Sequence, residues 1–441
     1  KTMEFILKQI LSIIALVFMV FSAGCQNNHS NNKDFIGVYE GNFTHGNFST
    51  PIQIEIEKDS LNYLVYFTSP DQNAYRIPTS NVSQKRDSIY FELNSDYFSF
   101  KFKNKRSEDG TYLNANLSVD SISQNFKLKK IIDLKESEIR QEDVLFKSND
   151  LNLKGTIYFP SKPSNKVLYF VTSSGNSDRS ASRAEAMKFT NQGFITFHFD
   201  KRGTGVSEGN WRSSSIEELC LDDINALKFL SKKLNIPFSN MGIKGSSQGG
   251  TKVPYILNKI ENLAFGIVVS CPSTSLLESD LNYWKNTNQS IIQHNYFDEA
   301  FSLERLVYQY IGGLTTRETL EESITQNKHK PWFSKLWIPN LDEVEIDRKL
   351  QFTPMPYFKL INQPLLIIQG TKDEIIPEES SASIFEVLKN TQNYSKVVLL
   401  TDANHSMQLV GNSDFPYWPM PHPEYLSSIY DWLNNLPIQF N

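Results

Sequence analysis

The chain has 441 residues, of which 39% are hydrophobic and 21% charged, with a formal net charge of −5. That suffices for an α/β core of roughly 250–300 residues with a smaller domain beside it, since single domains usually run to about 100–200 residues. Lys and Arg are scattered rather than striped, which excludes a phosphate-tracking surface and, with it, nucleic acid as a partner.

In chain order, the first 25 residues read as a targeting segment. Lys1 and Lys8 flank its start, an apolar run follows from Ile10 to Phe21, and Ser22-Ala23-Gly24 lead into Cys25. The run is shorter than the roughly 20 apolar residues a membrane span needs. This order resembles a bacterial lipoprotein signal over residues 1–25. The resemblance implies export, lipidation of Cys25 and a membrane anchor at the cell envelope. An ordinary secretory signal with Cys25 incidental is the alternative. Residues 26–34, polar through QNNHSNNK, then suit a flexible tether. The other two cysteines, Cys220 and Cys271, are far apart and sit in apolar stretches, so they read as buried structural thiols. No Cys/His spacing suggests a metal site.

From residue 35 to about 130 the rhythm is one of short strands. Ile52, Ile54 and Ile56 alternate with Gln53, Glu55 and Glu57, and the runs 63–67, 88–93 and 97–102 continue the pattern. Asp109-Gly110 marks a hairpin. A small antiparallel barrel or sandwich follows. Its segment from Ser69 to Pro78 resembles a β module found ahead of some bacterial α/β hydrolases, which implies a structural or substrate-presenting role.

From Glu142 to the end of the chain the rhythm becomes strand, helix, strand. KVLYFV (166–171), FITFHF (194–199), Met241–Lys244, LAFGIVVS (263–270), PLLIIQ (364–369) and KVVLL (396–400) are near-continuous apolar runs, as strands buried on both faces of a parallel sheet should be. Ile216, Cys220, Ile224, Leu227, Leu230 and Leu234 recur at helical spacing, and Ser214 with Glu217 is the expected capping box at that helix's start. The pattern predicts a doubly wound, mostly parallel α/β layer. A helical insertion at about 272–352 is expected to cap its pocket. Its aromatics, among them Trp284, Phe297, Tyr308 and Trp332, serve either the pocket or the cap's own packing.

Chemistry concentrates at the strand ends. Gly245-Ser-Ser-Gln-Gly249 is a G-x-S-x-G match centred on Ser247, between a strand and a helix-compatible stretch. A serine hydroxyl is a weak nucleophile near neutral pH and needs a base that is itself oriented by an acid. Asp373 follows PLLIIQ, and His405 follows KVVLL, which gives the order Ser, acid, His. Glu374 and Asp402 are the rival acids. His198, inside an apolar strand, reads as a core histidine.

Asp200-Lys-Arg-Gly-Thr-Gly-Val-Ser207, GxSxGG at 245–250 and GxxDxxxP at 370–377 together resemble bacterial α/β-hydrolase esterases. The resemblance covers roughly residues 142–441. It implies the α/β-hydrolase fold, cleavage of a small-molecule carboxylic ester, and neither metal nor organic cofactor. It also implies an oxyanion hole from the backbone amides of Ser174 or Gly175 and of Gln248. Here the sequence departs from the family, because Thr172-Ser173 replaces the usual His-Gly. The Asp200–Arg202 run is expected to brace the active-site loops by charge pairing. A peptidase or thioesterase using the same triad is the nearest alternative, and a binding protein that has lost turnover is the other.

Overall fold

The computed structural model describes residues 34–95, 98–131, 139–388, 394–411 and 413–438. The targeting segment, Cys25 and nearly all of the tether lie outside the described residues. By their contacts the residues form two compact units. One comprises the described residues up to Asn42 with Gln53–Tyr66 and Pro78–Ile132; the other comprises Phe43–Ile52, Phe67–Ile77 and Asp133–Asn441.

The first nine strands are β1 (Gly37–His45), β2 (Phe48–Asp59), β3 (Asn62–Ser69), β4 (Ala74–Pro78), β5 (Ser80–Lys85), β6 (Ser88–Asn94), β7 (Ser99–Arg106), β8 (Tyr112–Val119) and β9 (Ile122–Ile131). They form one sheet in the order β4-β3-β2-β1-β9-β8-β7-β6-β5. This is a meander whose first and last strands pair, Val38 opposite Ile131. Alternate residues are buried as the period of two predicts, including Ile54 and Ile56 on β2, Phe100 and Phe102 on β7, and Leu113 and Leu117 on β8. At the expected hairpin, Gly110 takes φ +75° and the Asp109 carboxylate accepts from Ser107 Oγ and the Thr111 amide.

The second sheet contains β10 (Arg140–Ser148), β11 (Leu151–Phe159), β12 (Val167–Phe170), β13 (Ile195–Phe199), β14 (Met241–Ser246), β15 (Phe265–Val269), β16 (Leu365–Gly370) and β17 (Lys396–Leu400). Their order is β10-β11-β13-β12-β14-β15-β16-β17. The pairs β10/β11 and β11/β13 are antiparallel and the remaining pairs are parallel. This is the expected α/β-hydrolase sheet. The helices that position the site are α1 (Ser180–Asn191), α2 (Ile216–Leu234), α3 (Gln248–Lys259), α4 (Leu276–Asn288), α5 (His294–Ile311), α6 (Arg317–Asn327), α7 (Ser380–Val387) and α8 (Glu424–Asn434).

Neighbouring residues of one strand serve opposite faces. Tyr169, Ile243 and Ile367 join a core with Leu227 of α2 and Val253 of α3, whereas Leu168, Ile267 and Ile368 join one with Phe189 of α1 and Trp432 of α8. Continuous apolar runs follow from that geometry. The insertion has a third core, in which Trp284, Leu303, Val307 and Trp332 pack together. Most of its aromatics are consumed there, while Tyr283 and Trp337 are exposed. Cys220 and Cys271 are free and buried.

The capping box of α2 lies one residue later than expected. Ser215 Oγ accepts from the Glu218 amide and Glu218 Oε2 accepts from the Ser215 amide. Ser214 is occupied elsewhere, accepting from Arg202 Nη1 and donating to the Asn210 carbonyl.

Candidate active site

Strand β14 ends at Ser246, helix α3 begins at Gln248, and Ser247 lies between them at φ 53°, ψ −125°. A left-handed φ is costly for a residue with a side chain, and persists only where the surroundings enforce it. The Ser247 amide donates to the Val269 carbonyl of β15 at 2.9 Å, which holds one side of the turn. The turn is so tight that a Cβ on Gly245 would meet the Gly249 carbonyl at 2.3 Å. Gly245 is therefore a steric requirement of the turn, and a Cβ on Gly249 would sit tightly, 3.1 Å from the Thr172 carbonyl.

Asp373 follows β16. Its Oδ1 accepts from the amides of Ile375 and Ile376, each at 3.0 Å, and its side chain is 1% exposed. His405 Nδ1 lies 2.9 Å from Asp373 Oδ1, and His405 Nε2 lies 3.1 Å from Ser247 Oγ. With Nδ1–H donated to the carboxylate, Nε2 carries the lone pair that faces the serine hydroxyl. Ser270 Oγ donates to the His405 carbonyl at 2.7 Å and anchors that loop. Glu374 reaches only the His405 backbone amide, at 3.4 Å, and the Asp402 amide donates to Thr371 Oγ1. Of the three acids considered, Asp373 alone meets the imidazole.

The loop from Thr172 to Gly175 passes beside the serine. Ser173 Oγ donates to the Ser246 carbonyl at 2.8 Å and accepts from the Gly249 amide at 3.3 Å, tying loop to turn. The amides of Ser174, Gly175 and Gln248 have no protein partner among the described residues. A buried polar cluster underlies this loop. Asp223 accepts from Tyr169 Oη at 2.7 Å, from the Thr172 amide at 3.2 Å and from Lys252 Nζ at 2.7 Å. Lys252 also donates to Thr172 Oγ1 at 2.6 Å. Asp223 and Lys252 are both fully buried. Burial pushes the Asp223 carboxyl up, and the neighbouring ammonium opposes that shift.

The Asp200–Arg202 run braces these loops as the charge pattern suggested. Asp200 accepts from Arg179 Nη1 at 2.5 Å and from the Arg179 amide at 3.0 Å. Arg202 grips Asp222 with Nε at 2.6 Å and Nη2 at 2.8 Å. Lys201 Nζ donates to the carbonyls of Ser173, at 2.7 Å, and Gly175, at 2.6 Å. Burial, with Lys252 nearby, pushes the Lys201 ammonium down to about 7.

Ser247 and His405 open on a cavity of about 750 Å³. Its wall includes residues 70–73 and Ile77, residues of α1, residues 405–408, and Pro419, Pro421, Tyr425 and Leu426. No residue of 272–352 lines it, so the insertion borders this cavity less than the sequence pattern implies. Lys244, Glu185 and Tyr425 form a polar group on the wall, with Lys244 Nζ 3.1 Å from Glu185 Oε2 and Tyr425 Oη 3.0 Å from Glu185 Oε1. His198 is buried as expected of a core histidine, and its Nδ1 lies 2.8 Å from Ser182 Oγ. Burial, reinforced by Arg183 and Arg179, lowers its pKa to about 3, so the ring is neutral near pH 7.

Sequence reasoning overlooked Asp223, Lys244 and Lys252, and expected Lys201 to pair with charge where it instead holds two carbonyls. The available signal was their position, since each interrupts an apolar strand or helix face or a glycine-rich turn, where an unpaired charge is too costly to keep.

Residues 314–418 match the Prolyl oligopeptidase family, a stretch that includes Asp373 and His405 but not Ser247. No curated protein matches the chain. Among solved structures the chain is similar to an esterase of Pyrococcus furiosus at 17% identity, over 69% of this chain and 95% of that one, with a TM-score of 0.45. It is similar to an acetyl xylan esterase from Paenibacillus sp. R4 at 16% identity, over 69% and 87%, with a TM-score of 0.43. An acylaminoacyl peptidase is similar at 14% identity over 91% of this chain and 71% of that one, with a TM-score of 0.44. Likeness at this level identifies no substrate.

Proposed function

We propose that this protein is a serine hydrolase that cleaves carboxylic esters through an acyl-enzyme on Ser247. The observation that carries the reading is the continuous hydrogen-bonded line Asp373–His405–Ser247, drawn from the loops that follow β16, β17 and β14. Ser247 Oγ attacks the ester carbonyl while His405 Nε2 takes its proton, and buried Asp373 steadies the resulting imidazolium. His405 then returns the proton to the departing alkoxide. Water enters, loses a proton to the same nitrogen, and releases the acid. The unpartnered amides of Gln248 and of Ser174 or Gly175 receive the negative oxygen; one such donor is worth roughly 10²–10³ in rate. The mechanism needs neither metal nor organic cofactor.

The match of 314–418 to a peptidase family favours one second reading, hydrolysis of an amide by the same three residues. A fluorophosphonate probe tests the shared part. Wild type labels and Ser247→Ala does not, with kcat falling on the order of 10⁴–10⁶-fold in the variant. Equal labelling of both proteins would remove Ser247 from its role. p-Nitrophenyl esters set beside aminoacyl anilides divide the two readings, and turnover of the anilides alone would refute the ester assignment. We also propose, from the order of residues 1–25, that the enzyme is held at the cell envelope by a lipid on Cys25. Cys25→Ser should then move it from the membrane to the soluble fraction; unchanged fractionation would exclude the anchor.

A further inference from the structure

In the esterase resemblance drawn from the sequence, Thr172-Ser173 replaces a His-Gly pair, so other residues must shape the oxyanion loop here. We propose that Lys201 is its positioning residue, fixing the Ser173–Ser174 peptide so that the Ser174 N–H, and not that of Gly175, is the loop's oxyanion donor. The inference rests on the Ser247 acyl-enzyme reading.

A trans peptide is planar, so its C=O and N–H point in opposite directions. Lys201 Nζ donates to the Ser173 carbonyl at 2.7 Å, which turns the Ser174 N–H of the same peptide away from the ammonium. Ser173, Ser174 and Ser247 line the cavity, and Lys201 does not. The carbonyl therefore faces the protein's interior and the amide faces the substrate. Were this peptide to flip, a carbonyl oxygen would stand where a developing oxyanion needs a donor. The second bond, to the Gly175 carbonyl at 2.6 Å, prevents the loop from rotating as a whole. The Gly175 N–H belongs to the intervening peptide, whose Ser174 carbonyl has no hydrogen bond among the described residues.

The ammonium is itself well seated. It is 2% exposed and lies 4.3 Å from the Trp211 ring centroid. Lys252, Asp223, Lys349 and Arg212 are among the charged groups around it. Burying a lysine so deeply is unfavourable, and Trp211 with the two carbonyls supplies the interactions that retain it. The start of the loop is secured separately, through Thr172 on Asp223 and Lys252. Ser173 Oγ holds the side-chain end of the next residue on the Ser246 carbonyl and the Gly249 amide, and Lys201 holds its peptide carbonyl.

The test is Lys201→Met, which keeps most of the stem over Trp211 and removes the donors. On a p-nitrophenyl ester, kcat should fall about 10–100-fold with KM changed by less than about threefold, somewhat less than deleting a donor outright. Affinity for a boronic acid that forms a tetrahedral adduct on Ser247 should fall by a similar factor. A folded variant with wild-type kcat, or one altered in KM alone, overturns the proposal. Should the variant not fold, wild type labelled with ¹⁵N-serine and ¹⁵N-glycine gives the answer. The boronate should shift the Ser174 amide resonance downfield, assigned by its loss in Ser174→Ala. A shift of Gly175 in its place overturns the assignment. Failure of wild type to react with fluorophosphonate would instead overturn the hydrolase reading itself.

Discussion

The region beneath the oxyanion loop and the helical insertion treat their buried carboxyl groups in opposite ways. Beneath the loop, Asp223 meets Lys252, Asp222 meets Arg202 and Asp200 meets Arg179, all at 2.5–2.7 Å. In the insertion, Glu304 of α5 is fully buried and its pKa is pushed up to about 8 by that burial. Asp280 of α4 is pushed up to about 6, first by burial and then by Asp347. One region keeps its buried carboxylates by pairing them, while the other keeps Glu304 by protonating it. Pairing fixes directions and so suits a loop that must aim an amide. Protonation merely tolerates a polar group and imposes no geometry.

The contrast breaks most severely at Asp223. Asp223→Ala leaves Lys252 buried without its counter-ion and should cost about 3–5 kcal/mol in chemical denaturation. Replacing both residues, as Asp223→Leu with Lys252→Met, should recover most of that loss, because the desolvation of both charges disappears together. Activity of the double variant should stay low, since Thr172 has lost both anchors. Recovery of full activity would show that the pair serves stability alone.

A smaller effect of opposite sign is expected at Glu304. A folded pKa of about 8 against an ordinary value of 4.5 means that the folded form holds a proton which the unfolded chain has released between those two pH values. Stability contributed by this group is therefore complete below about pH 4.5 and lost as pH rises to about 8. Glu304→Gln should stabilise the protein by about 1–3 kcal/mol at pH 8, with the difference vanishing toward pH 4.5 in parallel urea titrations. Asp280→Asn should act in the same direction and less strongly, over the window from 3.8 to about 6.

Much of this was legible in the sequence. The alternating Ile52–Ile56 run, the apolar runs of the second sheet and the 216–234 helix all form as their periods dictate, because burial on one or two faces sets those periods directly. The meeting of Ser247, His405 and Asp373 was legible because each follows a strand of the parallel sheet, β14, β17 and β16. Two kinds of feature were not. Ser214 and Ser215 are chemically equivalent as caps, and only the distant claim of Arg202 on Ser214 decides between them. The lysines under the loop depend on contacts across 28 residues for Lys201 with Ser173 and 80 for Lys252 with Thr172, which no local period encodes.

The pairing of β1 with β9 has a mechanical meaning. Val38 lies opposite Ile131 and Glu40 opposite Lys129, so the chain enters and leaves the meander at the same end of one antiparallel pair. Tension applied between those two points loads the rungs one after another, in a peeling geometry, rather than all at once in shear. The meander would open from that seam under a modest pull, before the interior rungs of β7 on β8 bear any load.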